Sequence, residues 1–300
     1  TAYVTLEPCS HHGRTPPCAD ALVAAGVAHV KIGMRDPNPC VDGGGIARLR
    51  AAGVSVESEI LANDARALNP GFAKRMEQGL PWVRVKLAAS LDGRTAMASG
   101  ESVWITGDAA RRDVQFWRAR ASCILSGSGT VLHDDPALNV RLSAQELGID
   151  GQVRQPVRVV LDSRSRVPSS ARVMQGDGDI LLYTTAEKTN INNGSCEVVN
   201  LAYNSGDDAV DLPDLLRDLA KRGMNEVHLE AGATLCGALL SQALVDEIVL
   251  YTAPHLMGDS AKPLFHLPHL HSMRDRLSLT IQDLRRVGND IRLVLRPQYP

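Results

Sequence analysis

The chain has 300 residues, a formal net charge of −2 and 44% hydrophobic residues, a length that favours two domains over a single core. The near-balance of charge excludes the strong basic excess of a sequence-independent nucleic-acid surface, and the mixture of apolar and charged residues excludes a disordered chain. No apolar run reaches the ~18 residues of a membrane span, so neither nucleic acid nor membrane is an expected partner.

Thr1-Ala2-Tyr3-Val4-Thr5-Leu6 reads as a buried strand. Its place at the first residue gives the expectation that a further segment belongs ahead of it. A helix over 19–25 closes at Gly26, and a strand over 27–33 is punctuated by Pro37 and Pro39. A helix over 46–52, a short strand over 54–56 and one longer amphipathic helix over 61–77 follow. This alternation predicts α/β architecture with a largely parallel sheet. Gly79-Leu80-Pro81 joins a helix end, a Gly and a Pro, and sets the expected domains at 1–79 and 80–300. Beyond it the pattern predicts a strand over 82–87, a helix over 108–121, a strand over 124–126 and a long loop from 127 to about 156. Strands at 157–161 and 180–184 precede a polar variable surface over 189–211. A helix (212–221), a strand (226–230), a helix (234–243) and strands at 247–251, 277–281 and 291–295 complete the chain. The six cysteines are scattered, which fits reduced thiols and a cytoplasmic location better than a disulfide framework. The sequence leaves the oligomeric state open, and a homo-oligomer is compatible with it.

The most specific string is Glu7-Pro8-Cys9-Ser10-His11-His12-Gly13-Arg14-Thr15-Pro16-Pro17-Cys18. Two cysteines flank a tight Gly/Pro loop between a strand end and a helix start. Thiolates suit Zn²⁺, and the helix start favours the anionic form of Cys18. Nucleobase-type deaminases pair such cysteines with a His from an upstream His-x-Glu, whose Glu moves the proton of a metal-activated water. Those enzymes usually place two residues between the cysteines, whereas eight separate them here. The triplet His228-Leu229-Glu230 lies at a strand end far downstream and is not read as the zinc site. His11 and His12 read as lining a cleft. An ordinary turn with two buried thiols is the plain alternative.

In the second half, strand 227–230 runs through Ala231-Gly232-Ala233 into a helix, the geometry in which backbone N–H groups hold a pyrophosphate. Arg118 and Arg141 are candidates for gripping a phosphate, although Arg111, Arg112 and Arg120 on the same helix as Arg118 also suggest a solvated face. Trp104 reads equally as a stacking partner for a nicotinamide or as a loop anchor. Glu230 and Asp134 are candidate proton donors, with solvent as the alternative. In the turn Asp162-Ser163-Arg164-Ser165-Arg166, Ser163 with Arg164 or Arg166 suits a 2′-phosphate, with Asp162 expected to face away.

Further strings agree in order as well as identity. They are Lys86-Leu-Ala-Ala-Ser90-Leu91-Asp92-Gly93-Arg94, Ser102-Val-Trp104-Ile-Thr106, Gly129-Thr130-Val-Leu-His-Asp134-Asp135-Pro136, Leu161-Asp162-Ser163-Arg164 and Glu230-Ala-Gly232-Ala-Thr-Leu235. With the cysteine loop, they make the chain resemble the bifunctional riboflavin deaminase-reductases. The resemblance implies the C-terminal part of a cytidine-deaminase-like α/β/α domain over 1–79 and a dihydrofolate-reductase-like α/β reductase domain over 80–300. It implies zinc-dependent hydrolytic deamination of a diaminopyrimidinone ribosyl phosphate, then NADPH-dependent reduction of the ribosyl to a ribityl chain. Under it Cys9 and Cys18 hold Zn²⁺, and His11 and Arg14 face the deaminase substrate. NADPH falls to Ala88, Trp104, Thr130, Asp134, Ser163, Gly232, Ala233, Thr234 and Leu235. The ribosyl phosphate falls to Ser102, Arg118, Leu138, Arg141 and Glu230. A reductase carrying a non-functional deaminase remnant is the alternative.

Overall fold

The computed structural model describes residues 1–13, 15–187, 189, 191, 194–201 and 210–299, which fall into two compact units, Thr1–Pro81 and Trp82–Pro300. The first contains β1 (Ala2–Leu6), α1 (Cys18–Ala24), β2 (His29–Met34), α2 (Gly44–Ala51), β3 (Ser55–Glu57), α3 (Ala62–Leu68) and α4 (Pro70–Gln78). Its sheet is parallel, in the order β1-β2-β3. Val30 and Ile32 from β2 pack with Ala19 of α1 and with Ile46 and Leu49 of α2, because alternate strand residues meet one amphipathic helix face each. The single helix expected over 61–77 is two. Pro70 has no N–H to continue the ladder, and Asn69 before it adopts φ −134° and ψ 57°, outside the helical region.

The second unit contains β4 (Trp82–Ser90), β5 (Arg94–Ala96), α5 (Asp108–Arg120), β6 (Cys123–Gly127), α6 (Ser128–Asp134), α7 (Ala144–Leu147), β7 (Val157–Leu161), β8 (Ile180–Thr184) and β9 (Cys196–Asn200). It continues with α8 (Leu212–Lys221), β10 (Glu226–Leu229), α9 (Ala233–Ser241), β11 (Glu247–Ala253), β12 (Lys262–Pro263), β13 (Ser278–Val287) and β14 (Asp290–Gln298). The main sheet has the order β13-β14-β11-β4-β10-β6-β7-β8-β9. Every pairing from β11 to β9 is parallel, while β14 and β13 close one edge antiparallel. The loop expected over 127–156 holds α6 and α7; α7 starts at a capping box in which Ser143 and Glu146 satisfy each other's backbone N–H groups. The polar stretch 189–211 contains β9, which pairs with β8. Strand β4 runs three residues past its expected end, to Ser90. Its residues Val83, Val85, Leu87 and Ala89 are buried on one face, and Arg84, Lys86 and Ala88 occupy the other. Among the described residues, no helix is long and apolar enough to cross a membrane.

Candidate active site

Strands β4 and β10 are neighbours in parallel register, with His228 opposite Arg84 and Leu229 opposite Val85. Strand alternation therefore puts Glu226, His228 and Glu230 on the same sheet face as Arg84 and Lys86. Helix α5 packs over this face. At its lower end the Arg84 guanidinium lies 4.7 Å from the Trp117 ring centroid. Arg84 also pairs with Glu226 at 2.8 Å and with Glu247 of β11.

At the upper end, Arg118 grips Glu230 bidentately. Its Nε donates to Oε1 at 2.6 Å and its Nη2 to Oε2 at 2.9 Å, while Nη1 donates to the Asn139 carbonyl at 2.9 Å. Burial works to raise the Glu230 carboxyl, but Arg118, with help from His228 and Lys86, holds it well below the usual carboxylate range. Burial lowers Lys86, with Glu230 opposing. Arg141 is also lowered, first by burial, then by the like charge of Arg118, with Arg172 adding to it. The fork between Arg118 and Glu230 thus sits among further cations, an arrangement that attracts an anion.

Directly after Glu230 the chain turns at Gly232 into α9. Gly232 is the N-cap and no side chain caps it; a Cβ there would meet nothing within 4 Å. The first N–H groups of α9, from Ala233, Thr234 and Leu235, have no intrahelical partner, so this open turn fits a pyrophosphate. Ala88 lies on β4 two residues beyond Lys86, on the same face. Thr130 is half-buried in α6 and Asp134 is exposed at its end. The Leu138 side chain is 1% exposed in the hydrophobic core, and its backbone has φ +48°, so only the backbone is free to meet a ligand. Trp104 is 71% exposed, with the Arg111 guanidinium 4.5 Å from its ring centroid; Ser102 is half-buried nearby in sequence. At the end of β7 Asp162 is buried, and one carboxylate oxygen accepts from Val167 N at 2.7 Å. It faces into the protein, while Ser163 is half-buried and Arg164 is exposed. Arg166 donates to Ser128 Oγ at 2.9 Å. Sequence reasoning gave no role to Lys86 and weighed His228 only within a zinc-type triplet. The available signal was charge at alternate positions in strands whose other positions are apolar.

In the first unit, Cys9 and Cys18 come together, with Cys18 N donating to Cys9 Sγ at 3.4 Å. The expectation of a more acidic Cys18 at a helix start is corrected: the hydrogen bond with Cys9 pushes its thiol up. The pair suits a soft cation as half of a tetrahedral donor set; among the described residues no group of three or more His, Cys, Asp and Glu stands ready to hold a metal. His11 is exposed, and Arg14 lies outside the described residues. Glu7, also unassigned from sequence, is 3% exposed. It accepts from Gly43 N and Ile46 N at 3.0 Å and from Asp36 N at 3.3 Å, so it fixes the loop before α2 against the cysteine turn.

A parallel α/β unit whose central strands end in a buried Arg–Glu–Lys cluster beside an uncapped helix start has the construction of an enzyme domain for an anionic ligand. The family model described as the RibD C-terminal domain matches residues 81–293. Riboflavin biosynthesis protein RibD of Escherichia coli K12 is 48% identical over 300 residues, covering 98% of this chain and 81% of that protein. The solved structure of Acinetobacter baumannii RibD superposes with a TM-score of 0.86 at 42% identity, covering 98% of this chain and 80% of that one. A Thermotoga maritima protein, described as a diaminohydroxyphosphoribosylaminopyrimidine deaminase/5-amino-6-(5-phosphoribosylamino)uracil reductase, has a TM-score of 0.84 at 29% identity, over 98% of this chain and 79% of that one. The chain belongs to the RibD family of riboflavin biosynthesis enzymes, and it carries the reductase domain of that family.

Proposed function

We propose that the second unit reduces the ribosyl group of a 5-amino-6-(5-phosphoribosylamino)uracil to a ribityl chain. The observation that carries this reading is the Arg118–Glu230 fork with Lys86 and Arg141 beside it, two residues before the open turn at Gly232. NADPH, when bound, supplies the hydride that reaches the sugar C1′. The α9 start would hold its pyrophosphate, with Ala88, Trp104, Thr130, Asp134 and Ser163 around the rest. Arg118 and Arg141, with Ser102 and the Leu138 backbone, orient the phosphorylated sugar, and Glu230 fixes its hydroxyls. Overall one hydride and one proton are added: the C1′–ring oxygen bond breaks, C1′ gains the hydride, and the released oxygen ends protonated. Lys86, an ammonium made more acidic by burial and adjacent to Glu230, is the chain's best-placed proton source.

The same reading extends to the first unit. Cys9 and Cys18 would contribute two thiolates to a zinc ion, which would supply an activated water for deamination, and His11 would serve that substrate, as would Arg14, which lies outside the described residues. The third ligand and the proton-shuttling carboxylate are not assigned to any residue of 1–300. Two assays test the two halves separately. Residues 82–300 should oxidise NADPH in the presence of the ribosylaminouracil phosphate, and an inert but folded unit would refute the reductase assignment. Zinc titration of chain 1–300 should show weak binding that Cys9→Ser or Cys18→Ser abolishes, and binding indifferent to both substitutions would refute the cysteine site.

A further inference from the structure

His228 takes no part in the reading above, yet it occupies the centre of the charged face. It is 0% exposed, in register with Arg84 on one neighbouring strand and Ile124 on the other. Its Nε2 lies 3.3 Å from Glu230 Oε1, and neither ring nitrogen has an aligned hydrogen-bond partner among the described residues. A buried imidazole in this condition carries a desolvation cost that an apolar side chain would avoid. The charged groups around it are Glu226 on its own strand and Glu230 just past its end, Arg84 and Lys86 on β4, Glu247 on β11 and Arg118 on α5. Burial lowers its pKa, and Arg84 and Arg118 add to that against Glu230, so the neutral ring is the resident form. A neutral ring has one N–H and one lone pair. A lone pair on Nε2 would face the carboxylate repulsively, so the proton belongs on Nε2.

We propose that His228 is a positioning residue for the ribosyl site: its Nε2 edge stands 3.3 Å from Glu230 Oε1, out of line as the chain stands, and the ring turns its Nε2–H onto that oxygen when the site is filled. This rests on the reading of Glu230 as a substrate-site residue. Arg118 donates to both carboxylate oxygens and does not distinguish them; the imidazole contacts Oε1 alone. Oε1 then has two donors, and Oε2, with one, is the oxygen left to accept from a sugar hydroxyl.

Steady-state kinetics of NADPH-dependent reduction test this in wild type, His228→Leu, His228→Gln and Glu230→Gln. The His228→Leu chain is expected to lose about tenfold in kcat, the worth of one hydrogen bond to a charged group, with KM for NADPH unchanged. The acid limb of its kcat/KM profile should move to higher pH, because Glu230 has lost a donor. His228→Gln, whose amide N–H replaces that of the ring, should recover most of the loss. Wild-type kinetics in a folded His228→Leu chain, or equal losses in both variants with an unmoved pH profile, would overturn the proposal. Full activity in Glu230→Gln would instead overturn the reading of Glu230, a result separable from the first. Should His228→Leu fail to fold, nitrogen NMR of the histidine rings in wild type decides. A neutral Nε2–H tautomer supports the proposal; a Nδ1–H tautomer or an imidazolium at neutral pH overturns it.

Discussion

Glu7 and Glu230 each follow the last residue of a parallel strand, β1 and β10, and both are withdrawn from solvent. Their partners differ in kind. Glu7 accepts from three backbone N–H groups, so its charge is spent on fixing a loop. Glu230 accepts from the Arg118 side chain and sits beside Lys86, so its charge organises groups that a ligand can reach. The same residue type at the same topological position is architectural in one unit and part of the candidate site in the other, and the donors facing it decide which.

The largest test of this contrast is Arg118→Met. It leaves Glu230 buried without its cation, which costs about 3–5 kcal/mol of stability in the second unit. Reductase turnover should fall by more than roughly a hundredfold, and retained turnover would make the fork structural after all. Next, Glu7→Ala strands three backbone N–H groups and should destabilise residues 1–81 by about 3 kcal/mol or more. NADPH oxidation should stay at its wild-type rate; a parallel loss of that activity would erase the distinction. Third, Ser163→Ala with Arg164→Ala should raise KM for NADPH roughly tenfold to a hundredfold and leave NADH nearly untouched. Unchanged discrimination would move the 2′-phosphate site elsewhere.

The smallest effect is in pH. The folded pKa of His228 is lowered by burial from the ordinary imidazole value of about 6.5, so below that value the unfolded chain binds more protons than the folded one. The stability associated with the neutral ring is present above pH 6.5 and lost as pH falls through the lowered folded value. Melting temperatures between pH 7 and 5 should therefore decline less steeply in His228→Leu than in wild type. An identical slope would mean that the ring does not titrate differently on folding.

Much of the architecture was legible because it rests on short-range signals. Alternating apolar residues gave the strands, and glycines and prolines gave their ends. What was missed has a local cause in each case. Pro70 divides a stretch whose apolar period runs straight through it. The capping box at Ser143 and Glu146 marked α7, but the apolar run behind it was too short to read as a helix. Within the site, Arg118, Arg141, Glu230 and the Gly232 turn were visible as strings. The fork between Arg118 and Glu230 was not, since it joins residues more than a hundred positions apart through the packing of α5 over β10. His228 was considered only as a metal ligand, because a triplet in sequence carries no information about the strand opposite.

Gly45 carries a last consequence. A methyl group there would lie 1.8 Å from the Pro8 carbonyl oxygen and 3.3 Å from Glu7 Oε1, so the first turn of α2 touches the backbone that leads into Cys9. Position 45 sets how closely the helix can seat against the turn that leads into Cys9. The spacing of the two thiols is therefore set in part by a residue that has no side chain, and an Ala at 45 would be felt as a displaced Cys9 turn.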